Sequence, residues 1–309
     1  MGSYLIPRLI EAGCQHLVLV DKNPVENRFL VDLQDRNVRV DMYRTDTLLG
    51  LPASVMPDIL VSLAGVTNVD DALVHPMHAF EGNISVAIEL GEWVRTHCRL
   101  SRVIHISSDE VLGESTLPLD ENSPLRPTQP YAASKAAAEI VLRNYRDVYG
   151  LDIIILRSCN LVGGRQKARK LIPVAVKSLL AKMAVPIYGS GMQKREWMAV
   201  EDLCDAIVEL IGATSPEGIY QAATGVHLTT LEVVGIVAEA LNRPPLIETA
   251  ADRQVHDSCY AMITTRLKAL GWAPMREPRD AIRKAAVEMS DPAHSKQLEF
   301  SIHLIEGEV

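Results

Sequence analysis

Residues 105–113, HISSDEVLG, place Ser107, Ser108, Asp109 and Glu110 directly after the apolar Val103, Ile104 and Ile106. Four small or charged polar residues in a row cannot continue a buried strand. In α/β proteins, ligands bind outside the carboxyl ends of parallel strands. Two adjacent carboxyls can divide an acid role and a base role when their surroundings set different pKa values. Ser and Asp also suit a turn or a helix N-cap, so this stretch alone leaves both readings open. Tyr131 and Lys135 form a second pair, four apart at the start of the Ala-rich PYAASKAAAE. On a helix both project from one face, and a nearby ammonium lowers a phenol's pKa towards that of a usable base. One loop separates this helix from the strand end, so the two groups can converge. Asp21 ends the run HLVLVD. A carboxylate there would bond an adenosine ribose and disfavour a 2′-phosphate, selecting NAD over NADP; a turn acid is an equally good reading. Asp46 carries the same ambiguity. His75 and His78 in HPMH are too few to hold a metal, and no metal is expected.

The elements that must position these groups alternate. HLVLVD (16–21), PDILVSLAG (57–65), SRVIHIS (101–107) and LDIIILR (151–157) are continuous apolar runs of strand length, as expected for parallel strands covered on both faces. RNVRVDMYR (36–44) is a weaker strand. Helical patterns at about 2–13, 24–34, 76–97 and 131–148 separate them. This βαβα rhythm predicts an α/β, Rossmann-type, doubly wound parallel sheet over residues 1–157. After Arg157 the rhythm breaks into RSCNLVGGRQKARKLIP, a helix at about 171–183, short strands near 186–199 and a helix at 200–212 that can pack on the sheet. Residues 158–290 read mainly as a smaller C-terminal substrate-binding domain. The tail 291–309 contains QLEFSIHLIE, whose period-2 alternation at Leu298, Phe300, Ile302 and Leu304 suits an edge strand.

The composition sets limits. The chain has 309 residues, 48% of them hydrophobic, and a net charge of −8, which argues against a general nucleic-acid surface. Its five cysteines lie far apart without a CxxC, so neither a zinc site nor a disulfide framework is expected. No apolar run reaches membrane length. The expectation is a cytoplasmic protein that binds neither nucleic acid nor membrane.

Taken in order, these motifs resemble the extended short-chain dehydrogenase/reductase family, and within it the nucleotide-sugar 4,6-dehydratases of the dTDP-glucose type. HISSDEVLG matches the dehydratase strand-end motif, with Ser108 where Thr is usual and Leu112 where Tyr is usual. PYAASK matches the family's YxxxK. The resemblance implies NAD as cofactor and a nucleotide sugar as substrate. It implies catalytic roles for Ser108, Asp109, Glu110, Tyr131 and Lys135. Tyr131 takes the proton of the sugar 4-hydroxyl as hydride leaves C4, Glu110 removes the C5 proton, and Asp109 protonates the departing 6-hydroxyl. It further implies cofactor contacts from Gly2, Asp21, Asp46, Ala64, Asn83, Tyr131 and Lys135. Substrate contacts are implied at Asn160, Lys170 and Leu171, at Arg195 in GMQKREWMAVEDL, and at Arg253 and His256 in DRQVHDSCYAM. At the family position next after His256, which usually bears an Arg, the chain has Ser258 and Cys259. The helices at 76–97 and 131–148 carry apolar residues on more than one face, and the resemblance implies that they pair in a homodimer. The opening MGSYLIPRLIEAG is similar to the family's first helix from the third fingerprint glycine, Gly2, onward. The expectation is that the chain as written begins downstream of the first strand and glycine turn and binds NAD weakly. The alternatives on the same ligands are a 4-epimerase and a non-catalytic nucleotide-sugar-binding relative.

Overall fold

The structure, a computed structural model, describes residues 1–23, 38–96, 102–166, 168–214, 218–252, 255 and 257–291. The helix expected at 24–34, Arg253, His256 and the tail strand at 298–304 lie outside the described residues.

Four parallel strands form the main sheet in the order β3 (Ile59–Ser62), β4 (Arg102–Ser108), β5 (Ile153–Ser158) and β9 (Ile219–Ala222). Both faces are covered, which explains the unbroken apolar runs. Along β4 and β5, Ile104, Ile106, Ile154 and Leu156 pack with Leu203, Ile207 and Leu210 of the helix Val200–Gly212 and with Leu5 of the helix Gly2–Glu11. The alternate residues Val103, Ile153 and Ile155 pack with Leu90, Trp93, Ala138 and Leu142 of the helices Pro76–Thr96 and Pro130–Tyr149. The same period-2 alternation sends the polar His105 and Ser107 towards the second helical layer.

The βαβα rhythm predicts one doubly wound sheet, and the resemblance implies a missing strand between β1 (His16–Asp21) and β3. Among the described residues the parallel strands form two blocks, because β1 (His16–Asp21) pairs only with β2 (Arg39–Arg44) and β3 pairs only with β4. The helix Gly2–Glu11 links the blocks. It starts where a Cβ on Gly2 would lie 3.8 Å from Leu63 Cδ1, just past the end of β3. It then runs back to β1, so the carboxyl ends of β1 and β3 share one edge. The chain leaves the main sheet after β5 and rejoins it at β9. The intervening and later elements build a second core from Val162, Ile172, Val176, Val185, Trp197, Val233 and Ile282. Around this core stand β6 (Asn160–Val162), β8 (Lys194–Ala199) and β10 (His227–Thr229), the pair β7 (Val185–Tyr188) and β11 (Ile247–Ala250), and three helices.

The helix Pro130–Tyr149 carries the Tyr–Lys pair and is set firmly at both ends. Gln129 is its N-cap, Pro130 occupies the first turn where a missing N–H costs nothing, and Gly150 closes it in the left-handed region at φ 66°. At its middle Glu139 and Arg157 form a fully buried ion pair at 2.8 Å, and Ser107 Oγ donates to Glu139 at 2.5 Å. The helix is thereby tied to β4 and β5.

Candidate active site

At the carboxyl end of β4, Ser108 accepts a hydrogen bond from Glu110 N at 3.3 Å and caps the short 3-10 turn Asp109–Leu112. The N-cap reading of this stretch is therefore borne out, and the cap leaves Asp109 and Glu110 at the strand end. Gly113 ends the turn at φ 76°, where a Cβ would sit 2.2 Å from Arg126 O, so only glycine fits there.

The two carboxyls meet different surroundings. Asp109 is 3% exposed. Its Oδ1 accepts from Ser108 Oγ at 3.1 Å and from Glu110 N at 3.0 Å. Its Oδ2 is buried and has no hydrogen-bond partner among the described residues. Burial, then repulsion from Glu110 and Glu196, pushes its pKa up to about 8. Burial also raises Glu110, but Arg195, Lys170 and the side-chain amide of Gln129 all act in the opposite direction. Asp109 therefore keeps its proton at neutral pH, and Glu110 is the readier of the two to ionise.

Tyr131 lies beside them, buried, with the Ser108 hydroxyl placed to favour its ionised form. The four-residue spacing led to the expectation that Lys135 lowers the phenol's pKa. In this structure the phenol is raised instead, first by burial and then by Glu110 and Asp109. Lys135 Nζ donates to Ile106 O at 2.6 Å and meets His105 Nε2 at 3.3 Å, so its bonds go to β4 rather than to the tyrosine. Burial brings the Lys135 amine down to about 8 and His105 well below its ordinary value. A neutral His105 accepts from Lys135 at Nε2 and donates from Nδ1 to Ser62 Oγ at 3.2 Å.

The residues singled out for a dinucleotide line the same strand-end edge. Gly2 opens its helix beside Leu63. Asp21 ends β1, exposed, with Oδ1 accepting from Asn23 N at 2.8 Å. Asp46 is exposed in the loop after β2, which Glu89 pins by accepting from Leu49 N at 3.3 Å and Thr47 Oγ1 at 2.6 Å. Ala64 is exposed at the end of β3. Asn83 is buried, and its amide is spent within the protein. It accepts from Val66 N at 2.8 Å and donates to Val66 O at 3.2 Å and Ser134 Oγ at 2.8 Å. Asn83 thus fixes the loop after β3 against the Tyr–Lys helix. At Gly65 a Cβ would lie 2.5 Å from Asn83 Oδ1, so the chain carries no side chain where that loop faces the cleft. An exposed acid ending β1, open backbone at the end of β3 and the Tyr–Lys pair after β4 fit a dinucleotide stretched across the strand ends.

On the opposite side, Lys170 Nζ donates to Thr67 O at 2.7 Å and faces Glu110. Leu171 begins the helix Leu171–Leu180, and Asn160 begins β6 beside Trp197. Arg195 Nη1 donates to Asp257 O at 2.8 Å and its guanidinium stacks on Tyr260, 4.8 Å from the ring centre. Tyr260 Oη in turn donates to Asp257 Oδ2 at 2.6 Å. Ser258 Oγ bonds Glu114. Sequence reasoning missed His105, Gln129, Asp257 and Tyr260. Each lies within or next to a motif already quoted, and only the position of His105, a polar residue inside an apolar run, gave any signal. No group of three metal-ligating side chains is assembled among the described residues.

The fold is that of an α/β, Rossmann-type protein with a dinucleotide cleft at its strand ends. The chain belongs to the NAD dependent epimerase/dehydratase family, whose profile matches residues 1–223, and its cofactor is NAD. It is similar to the low-salt glycan biosynthesis protein Agl12 of Haloferax volcanii, 34% identical over 70% of either chain. It is also similar to a dTDP-glucose 4,6-dehydratase of Actinoplanes sp., 32% identical over 79% of this chain and 77% of that one. Among solved structures, DesIV, a dTDP-glucose 4,6-dehydratase from Streptomyces venezuelae with NAD bound, superposes with a TM-score of 0.86. It is 30% identical, with 93% of this chain and 92% of that chain covered. No helix among the described residues is long and apolar enough to cross a membrane.

Proposed function

We propose that the chain is a nucleotide-sugar 4,6-dehydratase, converting a dTDP-glucose-like NDP-hexose into the NDP-4-keto-6-deoxyhexose. The observation that carries this reading is the unequal pair at the end of β4: a buried Asp109 held protonated next to a Glu110 faced by two cations and an amide. A 4-epimerase needs a base at the 4-hydroxyl and has no use for a second acid–base pair. Elimination of water across C5 and C6 needs both.

The residues at the strand end are assigned the following roles. Tyr131, beside Ser108, takes the proton of the sugar 4-hydroxyl, where the positive nicotinamide of bound NAD would offset the burial that raises its phenol, and Ser108 hydrogen-bonds the 4-oxygen. NAD, when bound, would supply the hydride acceptor and donor; Gly2, Asp21, Asp46, Ala64, Tyr131 and Lys135 would hold it, with Asn83 bracing the loop after β3. Glu110 then removes the acidified proton at C5. Asp109 gives its proton to the 6-hydroxyl oxygen as water departs, with the unpartnered Oδ2 as the atom free to reach it. Arg195 and Lys170 face the anionic nucleotide sugar, and Asn160, Leu171, Arg253 and His256 complete its contacts. We place the enzyme in the cytoplasm, with its four described cysteines unpaired.

D109N and E110Q, assayed with a panel of NDP-hexoses, test the reading. Dehydration is expected to fall by at least ~100-fold in each, within the range of a lost acid or base, while oxidation at C4 persists. Full dehydration in either variant would overturn the assignment.

A further inference from the structure

Gln129 sits two residues before the catalytic tyrosine and is 6% exposed. Its side chain spans two functional groups at once. Oε1 accepts from Tyr131 N at 2.7 Å, and Nε2 donates to Glu110 Oε2 at 2.6 Å. The orientation is forced, since only the NH2 end can face a carboxylate and only the oxygen can face a backbone N–H. We propose that Gln129 is a positioning residue that holds the Glu110 carboxylate in its ionised, base-competent form and locks it in register with the Tyr131 helix. The inference rests on the dehydratase reading above and assigns to Gln129 a task in the C5 half of that reaction alone.

An N-cap by itself needs only the oxygen arm. Ser, Thr, Asn or Asp would supply that arm with less side-chain ordering. The longer glutamine adds the second arm, and that arm ends on a carboxylate in a place from which water is largely excluded. A hydrogen bond to the charged form stabilises that form. The groups facing Glu110 are Arg195 from β8, Lys170 from the helix start at Leu171, Asp257 and Tyr260 from the late loop, Tyr131 from its own helix, and the neighbouring Asp109. The two cations favour ionisation, whereas Asp257 opposes it. Gln129 is the neutral donor in direct contact.

Q129N separates the two arms. Asparagine is among the best N-caps, so the bond to Tyr131 N is kept. It is one methylene shorter, about 1.5 Å, so it no longer reaches Glu110. Q129A removes both arms. The first readout needs no substrate: a pH titration of 13C-labelled Glu carboxyls by NMR, with Glu110 assigned through E110Q. The Glu110 titration is expected to move up by about one pH unit in Q129N and in Q129A, with Q129N melting like wild type. The second readout is kinetic. Single-turnover oxidation at C4 should stay within about twofold, while solvent-deuterium incorporation at C5 and overall kcat fall about tenfold or more, with the acid limb of the kcat profile displaced upward. An unmoved Glu110 titration in a folded Q129N would refute the proposal, and so would equal losses at C4 and C5. A wild-type enzyme that makes only the 4-epimer would sink the dehydratase reading instead. The NMR titration would still decide whether Gln129 sets the ionisation of Glu110.

Discussion

The chemistry of the site turns on single protons. Asp109 has a folded pKa near 8 against an ordinary value of 3.8. The native state therefore binds a proton that the unfolded chain releases across that window. The sign follows: between roughly pH 4 and pH 8 Asp109 costs increasing stability as pH rises, and above pH 8 that cost is constant. D109N should thus melt higher than wild type at pH 8, with the gap closing towards pH 4, while dehydration is lost. Thermal melts at several pH values check this, and a wild type that stays ahead at pH 8 would count against a protonated Asp109. In the intact enzyme dehydration should decline as pH rises through about 8 and Asp109 gives up its proton. Tyr131→Phe and Lys135→Ala should abolish turnover with the fold retained, because one removes the base and the other the buried amine beside it. Circular dichroism and steady-state rates measure both outcomes. Tyr131, Lys135, Asp109 and Glu110 were legible from residue type and spacing. That Asp109 is the acid and Glu110 the base was implied only by the resemblance, because burial and the distant Arg195, Lys170 and Glu196 set their inequality. The partnership of Lys135 with His105 and Ile106 was not legible, since a four-residue spacing says which helix face is shared but not what faces it.

At the scale of elements, the helix Pro130–Tyr149 and strands β4 and β5 act as one unit through the buried Arg157–Glu139 pair and Ser107. Removing one member leaves an uncompensated buried charge, which costs about 3–5 kcal/mol. Glu139→Gln or Arg157→Leu should therefore lower stability by that order in chemical denaturation, and should slow turnover by letting Lys135 drift, one helical turn from Glu139. Continuous apolar runs made the strands readable, and the cap, proline and final glycine made this helix readable. The division of the parallel strands into two blocks was not visible in the apolar runs, which look the same whether one or both edges are paired, and came only from the resemblance, which puts a further strand between HLVLVD and PDILVSLAG. The pinning of the loop after β2 by Glu89 is likewise a contact between distant positions, with no local signature. Glu89→Ala should free that loop, which carries Asp46, and weaken NAD binding several-fold by calorimetry.

For the whole molecule, the helices Pro76–Thr96 and Pro130–Tyr149 leave apolar side chains on their outer surface, with Ile88 45%, Ile140 58% and Tyr149 51% exposed. Their inner faces are already used, because Gly91 lets Tyr145 approach so closely that a Cβ there would lie 2.4 Å from its ring, and Tyr145 Oη donates to Glu92 at 2.6 Å. A second copy of the same two helices would cover the outer surface in a four-helix arrangement. Sedimentation should show a dimer at micromolar concentration, and Ile140→Asp should give monomer. The central claim, that the unequal carboxyl pair makes this family member a dehydratase, is tested most directly by product analysis in deuterated water. Incubation with dTDP-glucose and related NDP-hexoses, followed by NMR, should yield a 4-keto-6-deoxyhexose with a 6-methyl group and one solvent deuteron at C5. A 4-epimer with its 6-hydroxyl intact and no deuterium at C5 would contradict it.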